Sequence, residues 1–178
     1  MKRSKQSITA LYNYSYGMRI DDPMTPGTLF RYASIIHAII AALLTLLIAY
    51  EPLEIPRIIS GGSAGMWYTM GYLMYLIAGP LGSLYFSSLY GERKSIVGTI
   101  SFIIYTIGVF LATFSLIYGG YYAGWMMHVY PVHNPGQQIP TQQIHLWLVN
   151  FVLPAGIGTA LAGLGALIGA LGAIISRE

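Results

Sequence analysis

Long apolar runs with polar breaks between them dominate the chain. They cover residues 32–50, 66–90, 96–122 and 146–175. Each is near or above the roughly 20 residues that a helix needs to cross the hydrocarbon layer of a bilayer. None shows the one-sided stripe of a helix lying on a water-soluble core, so each is expected to be apolar all round. The breaks are sharp. Glu51 and Pro52 stop the first run, Gly61, Gly62 and Ser63 precede the second, and Gly91, Glu92, Arg93 and Lys94 end it. Thr28, just after Pro26 and Gly27, is the expected N-cap of the first helix. The pattern predicts an all-α, four-helix transmembrane bundle, residues 29–178, preceded by a basic arm over 1–28. In that arm Tyr12, Tyr14 and Tyr16 alternate, which suits an extended segment resting on lipid headgroups or a partner.

Composition agrees with the pattern and removes alternatives. Of the 178 residues 8% are charged and 55% are hydrophobic, and the mean hydropathy is +0.60. A soluble domain carries about 25% charge. One this small could not hide so much apolar surface from water, and a disordered chain would show the opposite balance. With no cysteine, a disulfide framework, a thiolate nucleophile and Cys-ligated zinc or iron–sulfur clusters are excluded. The basic start lacks an adjacent apolar stretch, so no cleavable secretory signal is expected.

The basic residues set an orientation. Lys2, Arg3, Lys5, Arg19, Arg31, Arg93, Lys94 and Arg177 fall on one side of the four runs, and only Arg57 on the other. By the positive-inside rule both termini are expected to be cytoplasmic. Trp67, Trp125 and Trp147 then all fall at the outer boundary, where indole rings prefer to sit. The net charge of +3 is thus a matter of topology and does not point to nucleic acid. The expected partners are the lipid bilayer and other integral membrane subunits.

Candidate chemistry is sparse. Gly158, Ala162, Ala166 and Ala170 recur every four positions in the last run, with Gly165 and Gly169 on a neighbouring stripe. Such faces let helices approach closely, either within the chain or against a partner. Pro80 and Pro154 each remove a backbone donor and predict a kink. No carboxylate falls inside a run, which weighs against a proton or cation carrier acting alone. His37 does fall inside one, about five residues in, and an ionisable group there is a candidate site by default. Its imidazole suits a haem iron or a quinone carbonyl, shared with a partner because the other histidines lie far off at the outer boundary. In the last outer loop His128, His133 and His145, with Met126 and Met127, offer soft ligands suited to copper. The same loop suits partner docking.

These features lead to an expected function. The chain reads as a small integral subunit of a larger membrane complex, most plausibly a respiratory or electron-transfer assembly, without catalysis of its own. The alternatives are a small oligomeric transporter or channel, and a structural membrane protein such as an assembly factor or viral component.

Overall fold

The computed structural model describes residues 24–176 and is helical with short connections. The tyrosines of the arm, the basic residues up to Arg19, and Arg177 lie outside the described residues. Helix α1 spans Pro26–Ala49. Its cap is Thr25 and not Thr28: the Thr25 hydroxyl accepts from the Thr28 backbone N–H at 3.3 Å. Pro26 occupies the first turn, where its missing N–H costs nothing. The helix Pro26–Ala49 has His37 near its middle, about 17 Å from its beginning at 1.5 Å per residue.

After α1 a 3-10 turn, Glu51–Leu53, and a short helix α2, Ile55–Ile59, fold over one end of the bundle. A broken rod follows: α3, Ser63–Leu76, a π-helical turn, Ile77–Gly82, and α4, Ser83–Tyr90. The break has a direct cause. Pro80 has no N–H to give and its ring crowds the preceding turn, so the helix widens locally. Helix α5, Ile96–Gly124, is capped by the Ser95 hydroxyl, which accepts from the Gly98 N–H at 3.1 Å. It continues through a second π turn, Trp125–Val129, into α6, Tyr130–His133. Helix α7, Thr141–Ile175, runs back the whole length and contains Pro154.

By length and apolarity, Pro26–Ala49, Ile96–His133 and Thr141–Ile175 can cross a membrane. The rod 63–90 is not among them. Its tyrosines, serines, glycines and proline dilute its apolar character, and its axis is interrupted. The residues that give it its packing role are the ones that lower its hydropathy.

The interior is built mainly from small and aromatic residues, with Ile55, Ile58, Val109, Ile117, Val129 and Ile144 buried among them. Helices α5 and α7 touch backbone to backbone: a Cβ on Gly108 would strike the Ala162 backbone, and one on Gly158 would strike Ala112. Tyr105 fits over Gly165, and Gly71 on α3 receives Thr113 and Ile117. At one end Phe30 stacks on Phe86 with centroids 5.1 Å apart and meets Phe102 edge-on. Among the described residues no leucine is fully buried in the core, whereas Ile36, Leu43, Leu46, Leu153 and Leu167 point outward. In water this inversion would expose a very large apolar patch. It is the arrangement that lipid favours, since lipid offers no drive to bury leucine between helices. The structure therefore supports a membrane location.

Charged groups collect at the two ends. A Cβ on Gly27 would strike the Gly91 carbonyl, which sets the start of α1 against the turn carrying Glu92, Arg93 and Lys94. The Tyr90 hydroxyl donates to the Gly169 carbonyl at 2.7 Å, so the end of α7 lies there too. Glu51, Glu54 and Arg57 occupy the opposite end with His128 and His133.

Candidate functional site

His37 sits where α1, the broken rod and α5 meet. It is 1% exposed. Its Nδ1 lies 2.9 Å from the Tyr75 hydroxyl. One ring face stacks on Phe110, centroids 4.8 Å apart. Gly79 lies against the ring on the side of Nδ1 and Cβ, where a Cβ would come to 3.2 Å of Nδ1. Nε2, across the ring, has no hydrogen-bond partner among the described residues. The local sequence accounts for this placement. Gly79 lets the imidazole pack closely, since a Cβ there would press it at 3.2 Å, and Pro80 next to it makes the wide turn.

Side chains from two helices donate to carbonyls of that wide turn, and the Pro80 carbonyl also accepts from the Ser83 backbone N–H. The Tyr105 hydroxyl donates to the Ala78 carbonyl at 2.7 Å. The Ser34 hydroxyl donates to the Pro80 carbonyl at 2.9 Å. In a low-dielectric interior an unserved carbonyl would be costly, so Tyr105 and Ser34 stabilise the break. Two further polar atoms without partners among the described residues are the Ser83 and Thr106 hydroxyl oxygens. Ser83 follows Gly79 by four residues and Thr106 precedes Phe110 by four, so each is about one helical turn from a residue that touches His37.

Beside Phe110 a groove of about 470 Å³ opens on the outer face of α5, lined by Thr106, Ile107, Phe110, Leu111, Phe114 and Ser115. Its surface is almost wholly apolar. Phe110 is therefore shared: one neighbour is the buried imidazole, the other a lipid-facing groove.

The three histidines at the opposite end of the bundle go to different partners. The His128 Nε2 donates to the Gly61 carbonyl at 2.6 Å. His133 pairs with Glu54, whose carboxylate also holds Arg57 at 2.5 Å, and its ring lies parallel to Trp125. His145 is exposed on the first turns of α7. Met126 and Met127 pack toward Ala64, Ala123 and Ile144. Among the described residues no three His, Cys, Asp or Glu side chains stand together as a metal site. These contacts tie the loop after α1 to the end of the α5 extension. Glu54 is held at φ 48°, ψ 28°, a left-handed conformation unusual outside glycine.

Most small residues of the last helix face the chain's own α5. Gly158 approaches Ala112, and Ala162 and Ala166 pack on the aromatic core. Gly165 accepts a hydrogen bond from Ser101 at 2.8 Å. Gly169 accepts from Tyr90. Ala170 is exposed.

Sequence patterning singled out His37 and missed its setting. Tyr75, Phe110, Ser83 and Thr106 read as ordinary members of apolar runs. One signal was available: Tyr75 lies in mid-run, whereas tyrosine favours the membrane boundary. No known protein family, characterised protein or solved structure matches the chain.

Proposed function

We propose that the chain is an integral membrane subunit with four crossings and both termini cytoplasmic, held in a larger complex of the respiratory or electron-transfer kind. The rod 63–90 is the fourth crossing in this reading. At about 1.5 Å per residue it is long enough to span the roughly 30 Å hydrocarbon layer, and all its residues are uncharged. Returning α1, α4, α5 and α7 to one end, with Arg31, Arg93 and Lys94 near it, suits an even number of crossings with that end inside.

The single observation that carries a partner subunit is a second small-residue face on α7. Gly156 and Gly163 point outward with nothing within 4 Å of where a Cβ would stand. Ala160 and Ala170 are exposed at compatible positions along the helix. Leu167 interrupts the face between Gly163 and Ala170, and the small stretch from Gly156 through Ala160 to Gly163 suits a closely packed neighbouring helix. Within such an assembly His37 contributes one side of a pocket for a lipid-soluble cofactor. Its packing suits a small hydrogen-bond acceptor better than a haem, because Tyr75, Phe110 and Gly79 already fill its surroundings. The transporter reading drew on carbonyls freed at the Pro80 break, and those of Ala78 and Pro80 are taken by Tyr105 and Ser34.

Two experiments test this. Purification in mild detergent from its source membrane is expected to retain partner subunits, and Gly156→Leu with Gly163→Leu to release them; a lone monomer sinks the idea. Because the chain has no cysteine, single cysteines report topology cleanly. A membrane-impermeant maleimide should label Ser60→Cys in intact cells and Glu92→Cys only after lysis. Labelling both from the same side would show that 63–90 does not cross.

A further inference from the structure

A neutral imidazole and a phenol together carry two polar hydrogens. The bond between His37 and Tyr75 uses one of them. If the Tyr75 hydroxyl donates to Nδ1, the remaining hydrogen is on Nε2, which has no partner among the described residues. If Nδ1 donates instead, the Tyr75 hydrogen and the Nε2 lone pair are both unserved. The first arrangement leaves fewer groups unsatisfied and is favoured, since each buried polar group without a partner is costly. The centre of the bundle thus presents a directed N–H donor, within reach of side chains that also form an apolar groove.

We infer that this groove and the Nε2 of His37 form one binding site for a quinone, with the ring carbonyl accepting from Nε2 and the apolar tail lying along α5. This deepens the reading of a membrane-embedded electron-transfer subunit and rests on it. Three observations select the ligand class. The donor lacks an acceptor, which calls for a carbonyl or similar oxygen. The groove, at about 470 Å³, falls within the size range of small-molecule sites and opens toward lipid, so the ligand arrives from the bilayer. Phe110 and Phe114, with centroids 5.6 Å apart and planes tilted by 39°, line it with aromatic faces suited to a flat ring. Phe110 both lines the groove and stacks on the imidazole, so the proposed site requires the quinone ring to displace Phe110 to reach Nε2. Ser83 and Thr106 lie one turn away and offer further hydroxyl partners.

The test uses the full chain in nanodiscs of ether-linked lipid, which carry no ester carbonyl, with decylubiquinone as the probe. Bound quinone is measured after correction for partition into protein-free discs. Saturable binding is expected, with the carbonyl stretch shifted in the infrared. His37→Leu should weaken it about tenfold, as loss of one hydrogen bond would, and abolish the shift. Ile107→Trp fills the groove from its lipid side at an exposed position and should block binding while leaving the thermal unfolding midpoint unchanged. Absence of saturable binding overturns the proposal, as does equal binding by wild type and Ile107→Trp. Loss of quinone binding in ester-linked lipid would assign the donor to lipid carbonyls and also overturn it. Failure here with the expected cysteine labelling and retained partners removes only the pocket; failure of those removes the subunit reading.

Discussion

The Tyr75 hydroxyl and the His37 Nδ1 are 2.9 Å apart in the middle of the helices, between a glycine and a phenylalanine. Both side chains are essentially inaccessible, so neither can exchange its partner for water. Tyr75→Phe is expected to leave both imidazole nitrogens unsatisfied and to cost about 1–3 kcal/mol. Adding His37→Phe should cost less than the sum of the single changes, because the two side chains act as a pair. Reversible unfolding in mixed micelles of the four proteins measures that coupling.

The Pro80 break depends on its two side-chain donors. Tyr105→Phe removes the side-chain donor from the Ala78 carbonyl and should destabilise by about 1 kcal/mol or more, whereas Ser34→Ala leaves the Pro80 carbonyl its bond from the Ser83 N–H and should cost less. Amide exchange should rise within Ile77–Gly82 and stay unchanged at the start of α5. A uniform rise along the chain would mean that the break is not supported locally.

Helices α5 and α7 meet through backbone, so added bulk acts differently on the two faces of α7. Gly158→Val drives a side chain into Ala112 and should cost about 3 kcal/mol. Gly163→Leu, with open space around it, should leave the unfolding of the isolated protein within about 0.5 kcal/mol of wild type. Equal effects would show that the two faces are not distinguished as described.

At the end of the bundle that holds the loop after α1, Glu54 combines an ion pair with a left-handed backbone. Glu54→Ala loses the pair and keeps the backbone strain, whereas Glu54→Gly loses both. The glycine variant should be the more stable of the two, by up to about 1 kcal/mol. Thermal unfolding of the two variants gives the comparison, and a less stable glycine variant would refute it.

Much of the architecture was legible in advance because lipid imposes simple rules. The apolar runs, the breaks at Glu51-Pro52 and Gly91 through Lys94, and the disturbance at Pro80 all reappear as helices and interruptions. The cap of α1 is Thr25, three residues before the expected Thr28. The rod 63–90 is less apolar than its neighbours because the tyrosines and glycines it uses for packing score poorly as lipid-facing residues.

For the site, sequence supplied one residue and little of its environment. A histidine stands out in an apolar run, but nothing along the chain says which tyrosine reaches it or which nitrogen is left over. The same holds for the outer loop, where His128 and His133 read as potential ligands together and the folded chain gives one to the Gly61 carbonyl and the other to Glu54.

By itself, then, the sequence determined helical class, membrane solvent and the positions of most breaks, because these depend on local hydropathy and on backbone donors that a single residue can supply or withhold. Tertiary structure alone decided which small face of α7 is covered by α5 and which is bare, and that Nε2 of His37 ends without a partner while Phe110 separates it from a groove. Those outcomes depend on the rotation of each helix about its axis. Helices that are apolar all round do not encode that rotation in a stripe. It is set by where glycine lets another helix approach and by which hydroxyl can reach a displaced carbonyl.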